Sequence, residues 1–195
     1  DSHCHLDFNK YDQDRETVID IARQAGVRLI INPGADLASS RRAVELAGRY
    51  EGIYAAVGVH PHDASSLSAA GLRELRDLAA QPRVVAIGEI GLDYYRNYSP
   101  HAAQREAFRA QLELAAELDL PVIVHNRDAS QDVYALLREW TAAHPGRQGV
   151  LHSYSGGVER LDQTLELGFH IGISGPVTFP GASDLQNVAT RVPLE

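Results

Sequence analysis

The stretch VVAIGEIGLDYY, residues 84–95, runs a β-branched apolar segment straight into a carboxylate, Glu89. A strand that is apolar on both faces is buried on both faces, as in parallel sheets covered by helices. A titratable side chain at the C-terminal edge of such a strand stands where α/β folds bind their ligands. The same pattern recurs along the chain. Further runs of this kind are VRLIIN from Val27, IYAAVGV from Ile53, PVIVH from Pro121, GVLH from Gly149 and FHIGIS from Phe169. With DSHCHL as strand one, the count is seven.

Amphipathic segments separate these runs. Val133, Leu136, Leu137 and Trp140 make one helical stripe, in a helix expected from Asp128 to about His144. Asp128 is the expected N-cap, with Gln131 as its capping-box partner. A second helix is expected to start at Ser99-Pro100, with Ser99 as cap and Pro100 at the first helical position, burying Phe108, Leu112 and Ala115. A third spans Asp14 to Ala25, with Val18, Ile21, Ala22 and Ala25 inward and Gly26 ending it. Weaker helices are expected at Leu37–Tyr50, Ser68–Ala80 and Val158–Leu167.

Unbroken strand–helix alternation predicts an α/β fold with a parallel sheet. An open doubly wound sheet usually carries a Gly-rich phosphate turn after strand one. LDFNKYDQD follows here instead, without glycine. The competing architecture is a TIM-type (β/α)₈ barrel, which typically takes about 250 residues. This chain has 195, starts at Asp1 and contains no Met. The expectation is therefore a single barrel domain over residues 1–195, truncated before strand eight, leaving an unpaired edge.

Hydrophobic content of 44% and charge of 23% are globular values. No run of eighteen apolar residues offers a membrane span. A net charge of −8 speaks against a broad basic surface for coating nucleic acid, while leaving room for a small local site. Cys4 is the single cysteine, so an internal disulfide is excluded, and a reducing cytoplasm fits. A monomer with no obligate protein partner is the default.

His3 and His5 fall on strand one, Glu89 on VVAIGE, and His125 and His152 at the ends of PVIVH and GVLH. Period-two alternation sends His3 and His5 to one face and Cys4 to the other, against a helix. Imidazole suits divalent transition metals, and one carboxylate can bridge two ions about 3.5–4 Å apart. On this reading His3 and His5 hold one ion, His125 and His152 hold the other, and Glu89 bridges both. His60 and His62 form a second HxH, but Pro61 interrupts the strand there, so they are read as substrate-contacting. Arg96 and Arg127 lie near the barrel mouth, where guanidinium suits phosphate. The bland alternative is a salt bridge to Asp93 or Asp128. Tyr94 and Tyr95 stack a base or simply pack. His101, His144 and His170 read as surface or local structural residues. No G-x-S-x-G elbow is present.

In order along the chain, DSHCHLD, GVHPHD, IGEIGLDYY, PVIVHNRDA, LHSYSG and IGISGPVTF resemble the signature segments of the TatD family of metal-dependent deoxyribonucleases. The resemblance implies a TIM-type barrel and two divalent cations, Mg, Mn or Zn. It implies hydrolysis of phosphodiester bonds in DNA, as a 3′→5′ exonuclease, with RNA left open. Carried over by motif, the ligands are again His3, His5, Glu89, His125 and His152. A further metal-binding aspartate, in an E-T-D-type motif on strand eight, is implied by the resemblance and absent from these 195 residues.

An amidohydrolase acting on a cyclic amide, lactone or nucleobase is the runner-up. Many such enzymes bridge their metals with a carboxylated lysine on strand four. The single lysine here, Lys10, lies instead in the loop after strand one, which disfavours that branch. A non-enzymatic scaffold would leave buried imidazoles and a buried glutamate with no compensating role.

Overall fold

The computed structural model describes residues 1–194. Among these, six strands form one parallel sheet in sequence order. They are β1 (Ile30–Pro33), β2 (Ile53–Val57), β3 (Val84–Asp93), β4 (Val122–Arg127), β5 (Gly149–Leu151) and β6 (Phe169–Ile171). The helices between and around them are α1 (Arg15–Gln24), α2 (Leu37–Arg49), α3 (Ala69–Ala79), α4 (His101–Leu118), α5 (Ser130–Ala143), α6 (Leu161–Glu166) and α7 (Ser183–Arg191). No described helix is long and apolar enough to cross a membrane.

The opening segment differs from the expected strand one. Ile31 N donates to Asp1 O (2.9 Å) and Cys4 N donates to Ile31 O (3.0 Å). A regular parallel ladder would use His3 N for the second bond. That N–H is taken instead by the Asp1 carboxylate at 2.9 Å. The segment thus lies beside β1 one residue out of step, and no ladder is built. Even so, the imidazoles of His3 and His5 converge, and Cys4 packs the other way, beside Leu6, Ile19 and Ile30.

The sheet is curled. Ile31, Ala56, Ala86, Ile123 and Val150, one from each of β1 to β5, meet in a single apolar cluster. A shared apolar interior drawn from five consecutive strands is what curling a sheet toward a barrel produces. The larger core lies between strands and helices, with Leu75, Phe108, Leu112, Val133, Leu137 and Trp140 packed on Ile87, Leu92 and Val124. Architecture of the (β/α)₈ type is therefore the right reading of the alternation, and the doubly wound sheet is not.

Four local expectations need correction. β3 continues to Asp93 rather than ending at Glu89, because a bulge between Ile87 and Ile90 absorbs one residue and pairing with β4 resumes. Asp128 does not cap α5; it adopts φ 53°, and the helix begins at Ser130. Ser99 does not cap α4 either. Its hydroxyl donates to His62 O and accepts from Ser65 N, tying two loops together. On α1 the fully buried residue is Ile19, while Ile21 faces solvent. Helix α7 was not anticipated, since SDLQNVATR carries only a short apolar set with Val188 buried.

Two glutamines of α4 act like strand partners. Gln111 accepts from Val59 N (2.7 Å) and donates to Val59 O (3.0 Å). Gln104 accepts from Asp93 N (2.8 Å) and donates to Asp93 O (3.0 Å) and Ser99 O (2.8 Å). Both side chains are fully buried. They satisfy backbone groups where strand pairing has run out.

Candidate metal centre

The bulge in β3 decides the centre. It leaves Glu89 opposite no β4 residue, and Glu89 N donates to Gly34 O (2.8 Å), beyond the end of β1. Gly91 follows at φ 139°, where an added Cβ would lie 2.0 Å from His125 O. Only glycine permits β3 and β4 to approach so closely beside the site.

Glu89 is nearly fully buried, and its two oxygens face different groups. Oε2 lies 3.3 Å from His3 Nε2 and 3.7 Å from His5 Nε2. These two imidazole nitrogens are 3.0 Å apart. Oε1 lies 2.9 Å from His125 Nδ1 and 3.8 Å from His60 Nε2. Two donor triads therefore share one carboxylate: His3, His5 and Glu89, and His60, Glu89 and His125. Ligands about 2.1 Å from a tetrahedral or octahedral ion stand roughly 3.0–3.4 Å from one another. Two of the first triad's three spacings, 3.0 and 3.3 Å, fall in this range, and the third is 3.7 Å. The Nδ1 atoms of His3 and His5 are buried without hydrogen-bond partners. The donor chemistry fits a divalent cation.

His152 is brought into the cluster by its ring rather than by a place in either triad. It stacks on His3 with centroids 3.3 Å apart. A flat seven-strand sheet would put these two segments roughly 24 Å apart, five strand spacings.

Asp93, which sequence reasoning treated only as a salt-bridge partner, is the second carboxylate of the site. It is fully buried, and its Oδ2 accepts from His62 Nε2 (2.9 Å) and from His125 Nε2 (3.2 Å). Its Oδ1 accepts from Tyr95 N and Arg96 N at 3.0 and 2.8 Å. Its place two β-strand periods after Glu89 was the available signal. Asp7 is likewise buried, held by Asn32 and Arg42, with Oδ1 3.8 Å from His5 Nδ1. That distance is too long for a hydrogen bond and leaves a charge–charge attraction.

Charge is strongly coupled here. Burial opposes ionisation of Glu89, yet the imidazoles of His125, His3 and His5 hold its carboxyl well below the usual range. Burial alone would lower His5, but Asp7 and Glu89 raise it to about 9. His125 rises as well, because Glu89 and Asp93 outweigh its burial. Burial dominates at His60 and at His152, taking them down to about 3 and about 4. Asp93 falls to about 2 against its burial, through the Arg96 backbone N–H, His62 and His125.

His60 and His62 are thus part of the cluster. His60 lies closer to Glu89 than a loop residue interrupted by Pro61 was expected to lie. Arg96 and Arg127 form no salt bridge among the described residues. Their guanidinium carbons lie 5.4 and 4.0 Å from the Tyr95 ring centroid. Tyr94 packs on His101 and hydrogen-bonds Asp132, so it is structural. His144 pairs with Glu113 on the surface, and His170 is exposed on β6.

The family described as TatD related DNase matches residues 1–195. The uncharacterized metal-dependent hydrolase YabD of Bacillus subtilis is 40% identical over 193 residues, covering 99% of this chain and 75% of that protein. The 3′-5′ ssDNA/RNA exonuclease TatD of Klebsiella pneumoniae is 43% identical over 171 residues, 88% of this chain. The chain spans 64% of the length of that exonuclease. The crystal structure of YJJV, a TatD homolog from Escherichia coli K12, matches with a TM-score of 0.91 at 34% identity. That match covers 99% of this chain and 74% of the other.

Proposed function

The chain belongs to the TatD related DNase family, and on that premise we propose that it hydrolyses phosphodiester bonds in single-stranded DNA, from the 3′ end, at a centre for two divalent cations. The divided aim of Glu89 carries this reading, with Oε2 toward His3 and His5 and Oε1 toward His125. His3, His5 and Glu89 would hold one ion. Glu89 and His125 would hold the other, with His152 as the further imidazole beside them. When bound, such ions lower the pKa of a coordinated water and neutralise phosphoryl oxygens. Imidazole donors favour Mn²⁺ or Zn²⁺ over Mg²⁺.

The chain's own groups have separable roles. Asp93 accepts from one nitrogen of His125 and so fixes the other toward Glu89. His60 accepts the His62 N–H at its Nδ1, so its proton resides on Nε2, which faces the centre. A neutral imidazole placed so is a donor for a phosphoryl oxygen. Arg127 and Arg96, unpaired among the described residues, would draw the phosphate chain to the mouth. Positive charge is thus local, consistent with an acidic protein.

The amidohydrolase reading finds less support. Lys10 lies over the Tyr11 ring at 4.7 Å and belongs to neither triad, while Glu89 belongs to both.

The test is incubation with a 5′-labelled single-stranded oligonucleotide and Mn²⁺ or Mg²⁺. Stepwise shortening that chelator abolishes is expected. A strand left intact under every metal would sink the proposal.

A further inference from the structure

Large aromatic side chains normally avoid water, yet two stand exposed against the rim of the metal centre. Phe8 is 42% exposed and lies flat on His5, ring centroids 4.6 Å apart and planes 10° from parallel. Tyr98 is 68% exposed and meets the His62 ring edge-on at 4.8 Å. His5 belongs to the triad on the Oε2 side of Glu89. His62 shares Asp93 with His125, on the Oε1 side. One aromatic face therefore flanks each half of the centre.

Neither ring hangs on a slack loop. Arg15 donates to Leu6 O (2.7 Å) and Phe8 O (3.3 Å), bracing the turn that carries Phe8. The turn carrying Tyr98 is fixed at both ends. Asp93 accepts from Tyr95 N and Arg96 N, and Ser99 Oγ donates to His62 O. Asn97 donates to Tyr94 O within it. Cations accompany both turns: Lys10 lies 5.9 Å from the Phe8 centroid, and Arg127 lies 4.0 Å from the centroid of Tyr95, three residues before Tyr98.

We propose that Phe8 and Tyr98 are base-stacking platforms that receive the unstacked nucleobases on either side of the phosphate held at the centre. The proposal rests on the nuclease reading and specifies its substrate. Aromatic faces interleaved with cations are how single strands are gripped without sequence preference. Bases in a duplex keep their faces covered, so the platforms select single strands. Braced turns keep the ordering cost of binding low.

The test compares two labelled oligomers of equal length, oligothymidylate and its abasic counterpart, by fluorescence anisotropy in chelator, where no strand is cut. The unsubstituted protein should bind the thymidylate more tightly. Tyr98→Ala and Phe8→Ala should each weaken thymidylate binding roughly fivefold or more, and leave abasic binding unchanged. Tyr98→Phe should retain the affinity. Equal losses on both oligomers, or no loss on either, would overturn the platforms. Because no cutting is needed, the two ideas separate. Base-dependent binding by a protein that never cleaves supports the platforms and sinks the reaction. Cleavage unaffected by either alanine, with binding equally unaffected, does the reverse.

Discussion

The imidazole of His3 lies flat on that of His152, ring centroids 3.3 Å apart and planes 14° from parallel. One residue comes from the opening segment and the other follows β5. Curling the sheet has pressed the two ends of the cluster together, so that buried nitrogens outnumber the groups available to bond them. A cation would satisfy several at once, and the consequences can be measured.

Divalent metal should raise thermal stability. At a free concentration about a hundredfold above Kd, binding to the folded state adds about 2.7 kcal/mol. For a chain of this size that corresponds to a Tm increase of roughly 5–10 °C. Differential scanning fluorimetry with Mn²⁺ or Zn²⁺, reversed by chelator, checks it. An unchanged Tm across the metals would count against the centre.

Glu89→Gln should reduce metal stoichiometry and strand cleavage together. The amide keeps the shape and loses the charge shared by both triads. At most one tightly bound ion should remain, and cleavage should fall by roughly a hundredfold or more. Elemental analysis after gel filtration, alongside the strand assay, reads both. Two ions at full occupancy would refute the shared role.

The metal-free protein should be most stable near pH 6.5. His5, raised to about 9, adds stability that is full below the unfolded value of about 6.5 and lost as pH rises through 9. His60 and His152, lowered to about 3 and about 4, act in the opposite sense. Below about 6.5 the unfolded chain takes up their protons and the folded one does not, so stability falls as pH drops toward 4. Urea midpoints measured in chelator from pH 4 to 9 should trace a maximum. A monotonic trend would contradict the coupling.

Gln104→Leu should cost about 1–3 kcal/mol, because Asp93 N–H and two carbonyls lose buried partners. A lower urea midpoint at unchanged m-value is the expected signature. Cleavage should fall as well, since Asp93 loses its anchor.

Gly91→Ala should be worse. The new Cβ would meet His125 O at 2.0 Å, in a backbone conformation side chains rarely adopt. A loss of roughly 3 kcal/mol or more is expected, read by the same urea titration.

Much of this was legible in the sequence, for identifiable reasons. Buried parallel strands read as apolar runs, so VVAIGE and PVIVH announce themselves. His125 and His152 stand out because the strand residues before them are apolar, and His3 and His5 because they share one period-two face. What escaped reading depends on tertiary context. The end of β3 was misjudged because a glutamate inside a strand resembles its terminus, and a bulge has no strong signature in one sequence. Asp93 was hidden by the same error. Pro61 does end the strand, so the sequence reads as a loop at His60, yet the side chain is buried and its Nε2 lies 3.8 Å from Glu89 Oε1. Ile21 was counted as core because a helix's periodicity does not reveal how wide a face its neighbours will cover.

The two glutamines of α4 have a mechanical consequence. Gln111 grips Val59, next to His60, and Gln104 grips Asp93. Seven residues apart, they lie two turns or about 10 Å from each other along one rigid rod. The helix is thereby a jig. Any sliding or tilting of α4 carries the imidazole loop and the acid along as one piece, so their spacing survives motions that would deform a site clamped from separate elements.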